Sequence, residues 1–164
     1  MLGRPDRRLR ELEVLYRERV PHFVQVARAI TGDRERAVEA VQDAFVGLVK
    51  NRNSFRGDGP LEAWVWGAVV NAARNATRRP LAEVGRSEET AYALPERVEE
   101  LAPLIASLPE RQRLVVFLRY YADLDYRSIA LALGVEVGTV SATLATAHAT
   151  LRKKLGKVES DAGR

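Results

Sequence analysis

Residues 37–79 decide the fold of this chain; they read AVEAVQDAFVGLVKNRNSFRGDGPLEAWVWGAVVNAARNATRR. Two segments with helical periodicity flank a short charged loop that contains two glycines. In the first segment, apolar residues recur at steps of three and four and therefore share one helix face: Val38, Val41, Phe45 and Leu48. Pro60 suits the first turn of the second segment, because its missing N–H would have no helical partner there. The stretch predicts a helix, a loop and a second helix.

The second helix is expected to carry an apolar stripe made of Leu61, Trp64, Val65, Ala68 and Ala72. We therefore place Trp64 in the core, whereas Trp66 faces either DNA or a neighbouring helix. A polar set recurs about a quarter-turn from the stripe: Asn71, Arg74, Asn75 and Arg78. Residues 50–79 also hold six Lys or Arg against two acidic residues. These features indicate either a nucleic-acid face or an ordinary solvated helix.

The same stretch contains a motif that resembles a known family. The motif is Ala37-x-Glu39-x-x-Gln42-Asp43-x-Phe45, followed by SFRGD at residues 54–58, then Trp64 and Asn71. It resembles the promoter-melting domain of bacterial sigma-70 family RNA polymerase sigma factors, most closely the extracytoplasmic-function (ECF) subfamily. The resemblance implies that the first helix binds core RNA polymerase, through Glu39, Gln42 and Asp43. By residue type alone, Glu39 and Asp43 would be interpreted as ordinary surface acids.

In the same resemblance, the loop and the second helix hold a base that is flipped out of the minus-ten promoter element. A flipped base needs a close-fitting pocket and a partner for its Watson–Crick edge. The implied DNA-binding residues are Phe55, Arg56, Asp58, Asn71, Arg74, Asn75 and Arg78. Phe55 suits a core anchor equally well. Gly67 departs from the family, which usually carries a basic residue there, so one contact to the DNA backbone is expected to be absent.

The residues before this stretch predict one more helix. Apolar residues return at helical spacing from Leu9 to Ile30, and Pro21 inside this pattern is expected to kink or restart the helix. Thr31-Gly32-Asp33 then reads as a helix stop followed by an N-cap at Asp33.

The residues after the stretch predict a linker and a second folded unit. Residues 83–100 contain six acidic against two basic residues and show no sustained periodicity, which is typical of a linker. Ser107 and Glu110 have the spacing of a capping box, which would open a helix that ends near Tyr121. A second N-cap is expected at Asp125.

The spacing of Ala130, Gly134 and Val140 is that of a helix-turn-helix, in which a small residue lets two helices cross and a glycine ends the first. We expect the recognition helix to run from about Val137 to Leu155, with Val140, Leu144, Ala147 and Leu151 inward. This unit resembles the minus-thirty-five-reading domain of the same sigma factors. The implied DNA-binding residues are Thr139, Ser141, Ala142, Ala145, Thr146, Arg152 and Lys153. Unlike many family members, the helix has no Lys or Arg between Gly138 and Thr150.

We therefore predict an all-α fold with two small helical domains, the C-terminal one a helix-turn-helix, joined by a flexible linker in an open, two-lobed arrangement. The boundaries are 9–80, 81–100 and 101–158. The length of 164 residues allows this, and 46% hydrophobic with 29% charged residues is typical of globular proteins. The absence of cysteine excludes disulfides, Cys-ligated zinc and thiol catalysis. Because no apolar run approaches about 20 residues and the start lacks a signal-peptide core, we expect a cytoplasmic protein without membrane insertion.

The predicted function is that of a dissociable sigma factor, which directs core RNA polymerase to promoters and helps to melt the minus-ten element. No cofactor or metal is expected, and the resemblance implies an anti-sigma protein as a further partner. A stand-alone helix-turn-helix regulator is the first alternative, but it would leave residues 37–79 without a role. An enzyme is the second alternative. The two histidines, His22 and His148, lie far apart in the sequence, and no phosphate-binding loop or paired-carboxylate motif is present.

Overall fold

The protein is described by a computed structural model that covers residues 6–80, 101 and 103–163. Within these ranges the regular elements are helical. The N-terminal unit contains α1 (Arg7–Thr31), α2 (Arg34–Lys50), a 3-10 turn (Arg52–Ser54) and α3 (Leu61–Thr77). The C-terminal unit contains helical residues 103–106, α4 (Glu110–Val116), a π-helical segment (Phe117–Tyr121), α5 (Tyr126–Leu133) and α6 (Val137–Ala162). The predicted all-α fold of two helical domains is confirmed. The predicted linker 81–100 lies outside the described residues, and the exact domain boundaries remain a prediction.

Local capping explains where the first two helices meet. Gly32 ends α1 in the left-handed conformation (φ 72°), and its N–H donates to the Arg28 carbonyl. One residue later, the Asp33 side chain accepts the backbone N–H of Arg36 at 2.8 Å and so caps α2. The predicted stop and cap are therefore confirmed. In contrast, α1 continues through Pro21 without a restart.

The core of the N-terminal unit is centred on Phe23. Its ring lies 4.5 Å from that of Trp66 and 5.4 Å from that of Phe45, measured between centroids. Trp66 is fully buried, whereas Trp64 is only partly buried. The prediction that Trp64 is the core tryptophan is therefore wrong. The physical reason is that α3 packs against α1 and α2 on one side and against α5 on another. Its buried residues consequently occupy more than one stripe, and periodicity alone selects the wrong one.

The C-terminal unit departs from the prediction at its first cap. Ser107 does not cap α4; its hydroxyl donates to the Leu104 carbonyl at 2.6 Å, and the residue before α4 is Pro109. The backbone N–H of Ser107 also bonds to the Pro103 carbonyl. Ser107 therefore closes the preceding helical turn. The predicted capping box is wrong, although Ser107 and Glu110 have the three-residue spacing of such a box.

The helix-turn-helix itself is confirmed. The Asp125 side chain accepts the Ser128 N–H at 2.7 Å and caps α5. Gly134 ends α5 with φ 65°, a conformation that glycine adopts without strain. The chain then turns by 103° into α6, an angle within the usual range for this motif. Val140, Leu144 and Ala147 are buried, as predicted, but α6 extends beyond the expected end to Ala162.

The two units also pack against each other. Helix α3 lies on α5, and α1 lies on α4 and the π-helical segment. The His22 and Tyr121 rings, one from each unit, are 5.0 Å apart. Arg74 and Glu110 form an ion pair of 3.2 Å between the units. The prediction of an open, two-lobed arrangement is therefore wrong. Within the described ranges, no single helix is long and apolar enough to cross a membrane, although the bent pair α5 and α6 meets the length and composition criteria together.

Candidate nucleic-acid interface

The outer face of α2 is polar and open to solvent. Its inner face is buried in the core of the N-terminal unit, through Ala37, Ala40, Val41, Ala44, Phe45 and Leu48. Glu39, Gln42 and Asp43 are exposed and lie at steps of three and four, so one helix face presents all three. Sequence reasoning missed Val46, which shares this face and is 53% exposed. Its position, three residues after Asp43 and four residues after Gln42, was the sequence signal that could have placed it on this face. The arrangement is an apolar side chain among polar ones, which suits a protein interface.

The loop between α2 and α3 is anchored by Phe55. The Arg8 guanidinium lies 4.5 Å above the Phe55 ring, and the Trp64 ring is 5.4 Å away on α3. Phe55 thereby ties the loop to both helices. It also lines an open groove of about 760 Å³, together with Arg7, Arg8, Arg10, Glu11, Val14, Leu15, Leu61 and Glu62. Phe55 therefore anchors the loop and still reaches the surface.

At the tip of this loop, Arg56 and Asp58 are exposed. Gly57 between them has a φ of 79°. The loop begins after the 3-10 turn, where Arg52 donates to the Asp6 carboxylate. This hydrogen bond is the main reason why the pKa of Asp6 is lowered. The base of the loop is thus held to the start of α1, while its two charged side chains are open to solvent.

The predicted polar face of α3 is formed, but its members differ in exposure. Asn71, Asn75 and Arg78 are exposed, whereas Arg74 is half-buried and pairs with Glu110 of the C-terminal unit. At about 100° per residue, Asn71, Arg74 and Arg78 fall within about 60° of one another on the helix. The structure therefore brings the predicted residues together on one face. One of them is already engaged by a carboxylate from the other unit.

The outward face of α6 is mostly as predicted. Ser141, Ala142, Ala145, Thr146, Arg152 and Lys153 are exposed, and Thr139 is half-buried. The Thr146 hydroxyl donates to the Ala142 carbonyl at 3.0 Å, so its lone pairs remain available to accept. Sequence reasoning missed Tyr120, which is 61% exposed beside α6 and whose hydroxyl lies 2.8 Å from His148 Nε2. No group of three or more metal-ligating side chains occurs among the described residues.

The chain has a helical unit with polar and basic faces, followed in the sequence by a helix-turn-helix unit. This combination is typical of DNA-binding transcription proteins. Two family models match the chain, Sigma-70 region 2 over residues 15–80 and Sigma-70 region 4 over residues 98–151. The ECF RNA polymerase sigma factor SigM of Mycobacterium tuberculosis (strain H37Rv) is 30% identical over 148 residues, covering 87% of this chain and 76% of SigM. The ECF RNA polymerase sigma-E factor of Escherichia coli (strain K12) is 32% identical, covering 71% of this chain and 72% of that factor.

The chain belongs to the ECF sigma factors of the sigma-70 family. Members of this family direct RNA polymerase to promoters and are initiation factors rather than enzymes. Solved structures agree on the fold. CnrH in complex with the cytosolic domain of CnrY matches with a TM-score of 0.69 and 22% identity, covering 91% of this chain and 90% of CnrH. RpoE of Bartonella quintana, in complex with the anti-sigma factor NepR, matches with a TM-score of 0.70 and 17% identity, covering 89% of this chain and 97% of RpoE.

Proposed function

We propose that three surfaces of this sigma factor divide the work of initiation. The α2 face, made of Glu39, Gln42, Asp43 and Val46, binds core RNA polymerase. The loop 53–60 and the α3 face bind and help to melt the minus-ten element, through Phe55, Arg56, Asp58, Asn71, Arg74, Asn75 and Arg78. The outward face of α6 reads the minus-thirty-five element, through Thr139, Ser141, Ala142, Ala145, Thr146, Arg152 and Lys153.

One observation carries this division. The α2 face and the α3 face lie on adjacent helices of one core, yet one is acidic and the other is basic. An acidic face is repelled by DNA, whereas a basic-polar face attracts it. The two faces therefore suit two different partners, a protein and a nucleic acid.

The minus-ten surface has the chemistry that an extruded base requires. Phe55 offers an aromatic edge, while Arg56 and Asp58 offer a donor and an acceptor to a Watson–Crick edge. Asn71 and Asn75 present amides that both donate and accept, and Arg78 provides a cation for a phosphate. The absence of a side chain at Gly67 removes one possible phosphate contact from the same helix.

The test is a reconstitution with purified core polymerase and a fragmented genomic library. We expect the chain to co-purify with core polymerase and to start transcripts at a defined set of promoters. A stand-alone regulator would bind DNA fragments without core polymerase and start no transcript. That result would overturn the proposal.

An anti-sigma protein is the further partner that we propose. The support is that the two solved structures named above are complexes, CnrH with CnrY and RpoE with the anti-sigma factor NepR. Since RNA polymerase is the target, the protein would act in the cytoplasm. The test is to capture a co-encoded protein on this chain and to add it to the reconstituted system. A loss of transcription would support this part of the proposal. Full transcription in the presence of the captured protein would contradict it.

A further inference from the structure

Tyr120 lies on the surface beside α6, and within the described part of the chain no large apolar side chain is more exposed, at 61%. It belongs to the π-helical segment, in which the Ala122 N–H donates to the Phe117 carbonyl, five residues back, at 3.0 Å. Such segments are rare and occur frequently at functional sites. The next residue, Tyr121, packs on His22 of the N-terminal unit, whereas Tyr120 contacts α6. Packing in the core therefore does not explain the position of Tyr120.

The partner of Tyr120 is His148 of α6. The Tyr120 hydroxyl lies 2.8 Å from His148 Nε2, and the two ring centroids are 5.7 Å apart. At about 100° per residue, His148 lies about 20° from Ser141 and about 40° from Arg152 around the helix. His148 is half-buried, whereas Ser141 and Arg152 are exposed. The pair thus stands at the edge of the outward face of α6, and Tyr120 extends that face with a side chain from another element.

The outward face of α6 is short of groups that can donate to a phosphate. The helix has no Lys or Arg between Gly138 and Thr150. Three threonine hydroxyls donate their protons to carbonyls of the helix itself: Thr143 to Thr139, Thr146 to Ala142 and Thr150 to Thr146. The Tyr120 hydroxyl differs from these. When His148 Nε2 carries a proton, it donates to the phenolic oxygen and leaves the phenolic proton for another acceptor.

We propose that Tyr120 binds a phosphate of the DNA backbone at the edge of the outward face of α6, and that His148 positions its hydroxyl. The His148 Nε2–H donates to the phenolic oxygen, and the phenolic O–H donates to a phosphate oxygen. The negative charge of the phosphate strengthens these hydrogen bonds, because linked hydrogen bonds polarise one another. This inference rests on the proposed function of α6. It adds a backbone contact, which fixes the register of the helix on the duplex.

The test is a salt titration of the full chain with a fluorescent mixed-sequence duplex, since a phosphate contact does not depend on base sequence. Tyr120→Phe removes only the hydroxyl and should weaken binding about tenfold, the effect of a hydrogen bond to a charged group. The salt slope should stay unchanged, because no cation is lost. Arg152→Gln, on the same face, should instead lower the slope by about 0.9. Tyr16→Phe is the matched control. Its ring packs on Phe45 in the N-terminal unit, so it should bind as the parent does.

Variants of His148 test its positioning role. His148→Leu removes the donor and should weaken binding as much as Tyr120→Phe does. In the Tyr120→Phe background it should have no further effect, because both changes remove the same phosphate contact. His148→Gln keeps an amide N–H that can donate to the phenolic oxygen, so it should retain most of the affinity. This variant and Tyr120→Phe also cover the case in which His148→Leu fails to fold.

The outcomes separate this inference from the function on which it rests. Parent affinity in Tyr120→Phe, with a loss in Arg152→Gln, would overturn the inference and leave the proposed function of α6 intact. Parent affinity in both variants would overturn both. Additive losses in the double variant, or a lower salt slope in His148→Leu, would overturn the positioning role of His148. A loss of core polymerase binding in Tyr120→Phe at unchanged DNA affinity would show that Tyr120 contacts a protein and would overturn the phosphate site.

Discussion

At the scale of single residues, the sharpest prediction concerns Asp43. Its carboxylate is exposed on α2 beside Glu39 and Val46, away from the core. Asp43→Lys should therefore leave the unfolding free energy nearly unchanged, since surface substitutions away from special features cost little. It should weaken core polymerase binding on the order of tenfold, because it reverses a charge in the proposed interface. Asn71→Ala is the matched variant on the other face, and it should spare polymerase binding but reduce promoter opening. Equal polymerase affinity of Asp43→Lys and the parent would contradict our assignment of this face.

The cap at Asp125 is a second prediction at this scale. The Ser128 backbone N–H donates to the carboxylate, and this hydrogen bond is the main cause that lowers the pKa of Asp125 below 3.8. Asp125→Ala should cost about 1 kcal/mol of stability at neutral pH. Because the folded-state pKa is the lower one, this contribution is complete well above pH 3.8 and is lost as the pH falls through the folded value.

Urea unfolding at several pH values measures this effect. The parent and Asp125→Ala should differ at neutral pH and converge in acid. Asp161→Ala, at an exposed position near the end of α6, serves as the control and should match the parent throughout. A constant difference between the parent and Asp125→Ala at all pH values would mean that the side chain stabilises α5 by something other than its charge.

At the scale of the helix, the uncharged recognition face of α6 leads to a prediction about salt. Each phosphate that a Lys or Arg neutralises adds about 0.9 to the slope of log affinity against log salt. Thr146 is exposed on this face, so Thr146→Arg should raise the slope by about one and tighten binding to arbitrary duplexes. It should also reduce discrimination between promoters, since a phosphate contact carries no sequence information.

The matched control is Ser160→Arg, which adds the same charge to the same helix beyond the helix-turn-helix. Salt titrations on a promoter duplex and a scrambled duplex compare the two variants. An unchanged slope for Thr146→Arg, with affinity lost only on the promoter, would show that residue 146 does not approach the DNA backbone.

Helix existence was predictable because periodicity and caps are local properties. Asp33, Asp125 and Gly134 act as their sequence contexts predict. The predictions were wrong where a residue contacts a partner other than the one that its spacing suggests. Ser107 has the spacing of a cap, but its hydroxyl and backbone N–H bond to the preceding turn. Trp64 was wrongly placed in the core because α3 is packed on two sides, and only one side was visible as a stripe. Trp66 packs against Phe23 of the neighbouring helix α1, which was one of its two predicted alternatives.

The polar sites were predictable to a similar extent and for a similar reason. Exposed residues at helical spacing share a face whether or not their partner is known, and Asn71, Asn75 and Arg78 do so. Arg74 differs because its environment is set by Glu110, from a distant part of the sequence. Val46 and Tyr120 were missed because an apolar or aromatic side chain is normally assigned to the core. Contacts made across the fold are the information that local patterns lack.

At the scale of the whole molecule, the joint between the two units contains a titratable group. His22 of α1 lies against the Tyr121 ring of the π-helical segment. Among the described residues, its Nδ1 atom is buried without a hydrogen-bond partner. Burial is the main cause that lowers the pKa of His22 below 6.5, and the charge of Arg19 adds to it, while Glu62 opposes it. Arg19 and Glu62 also pair with each other at 2.7 Å. The neutral imidazole is therefore the form that fits this joint.

This leads to a prediction about acid. Because the folded-state pKa of His22 is the lower one, its contribution to stability is complete above pH 6.5 and is lost as the pH falls through the folded value. The unfolding free energy should consequently begin to drop as the pH falls below 6.5, well above the ordinary pKa of 3.8 from which that of Asp125 is lowered. His22→Gln should flatten that part of the profile. His148→Gln, which replaces the other histidine outside this joint, should keep the drop. Urea midpoints across this range measure the effect. A drop of the same size in His22→Gln would show that the joint does not sense protonation of this imidazole.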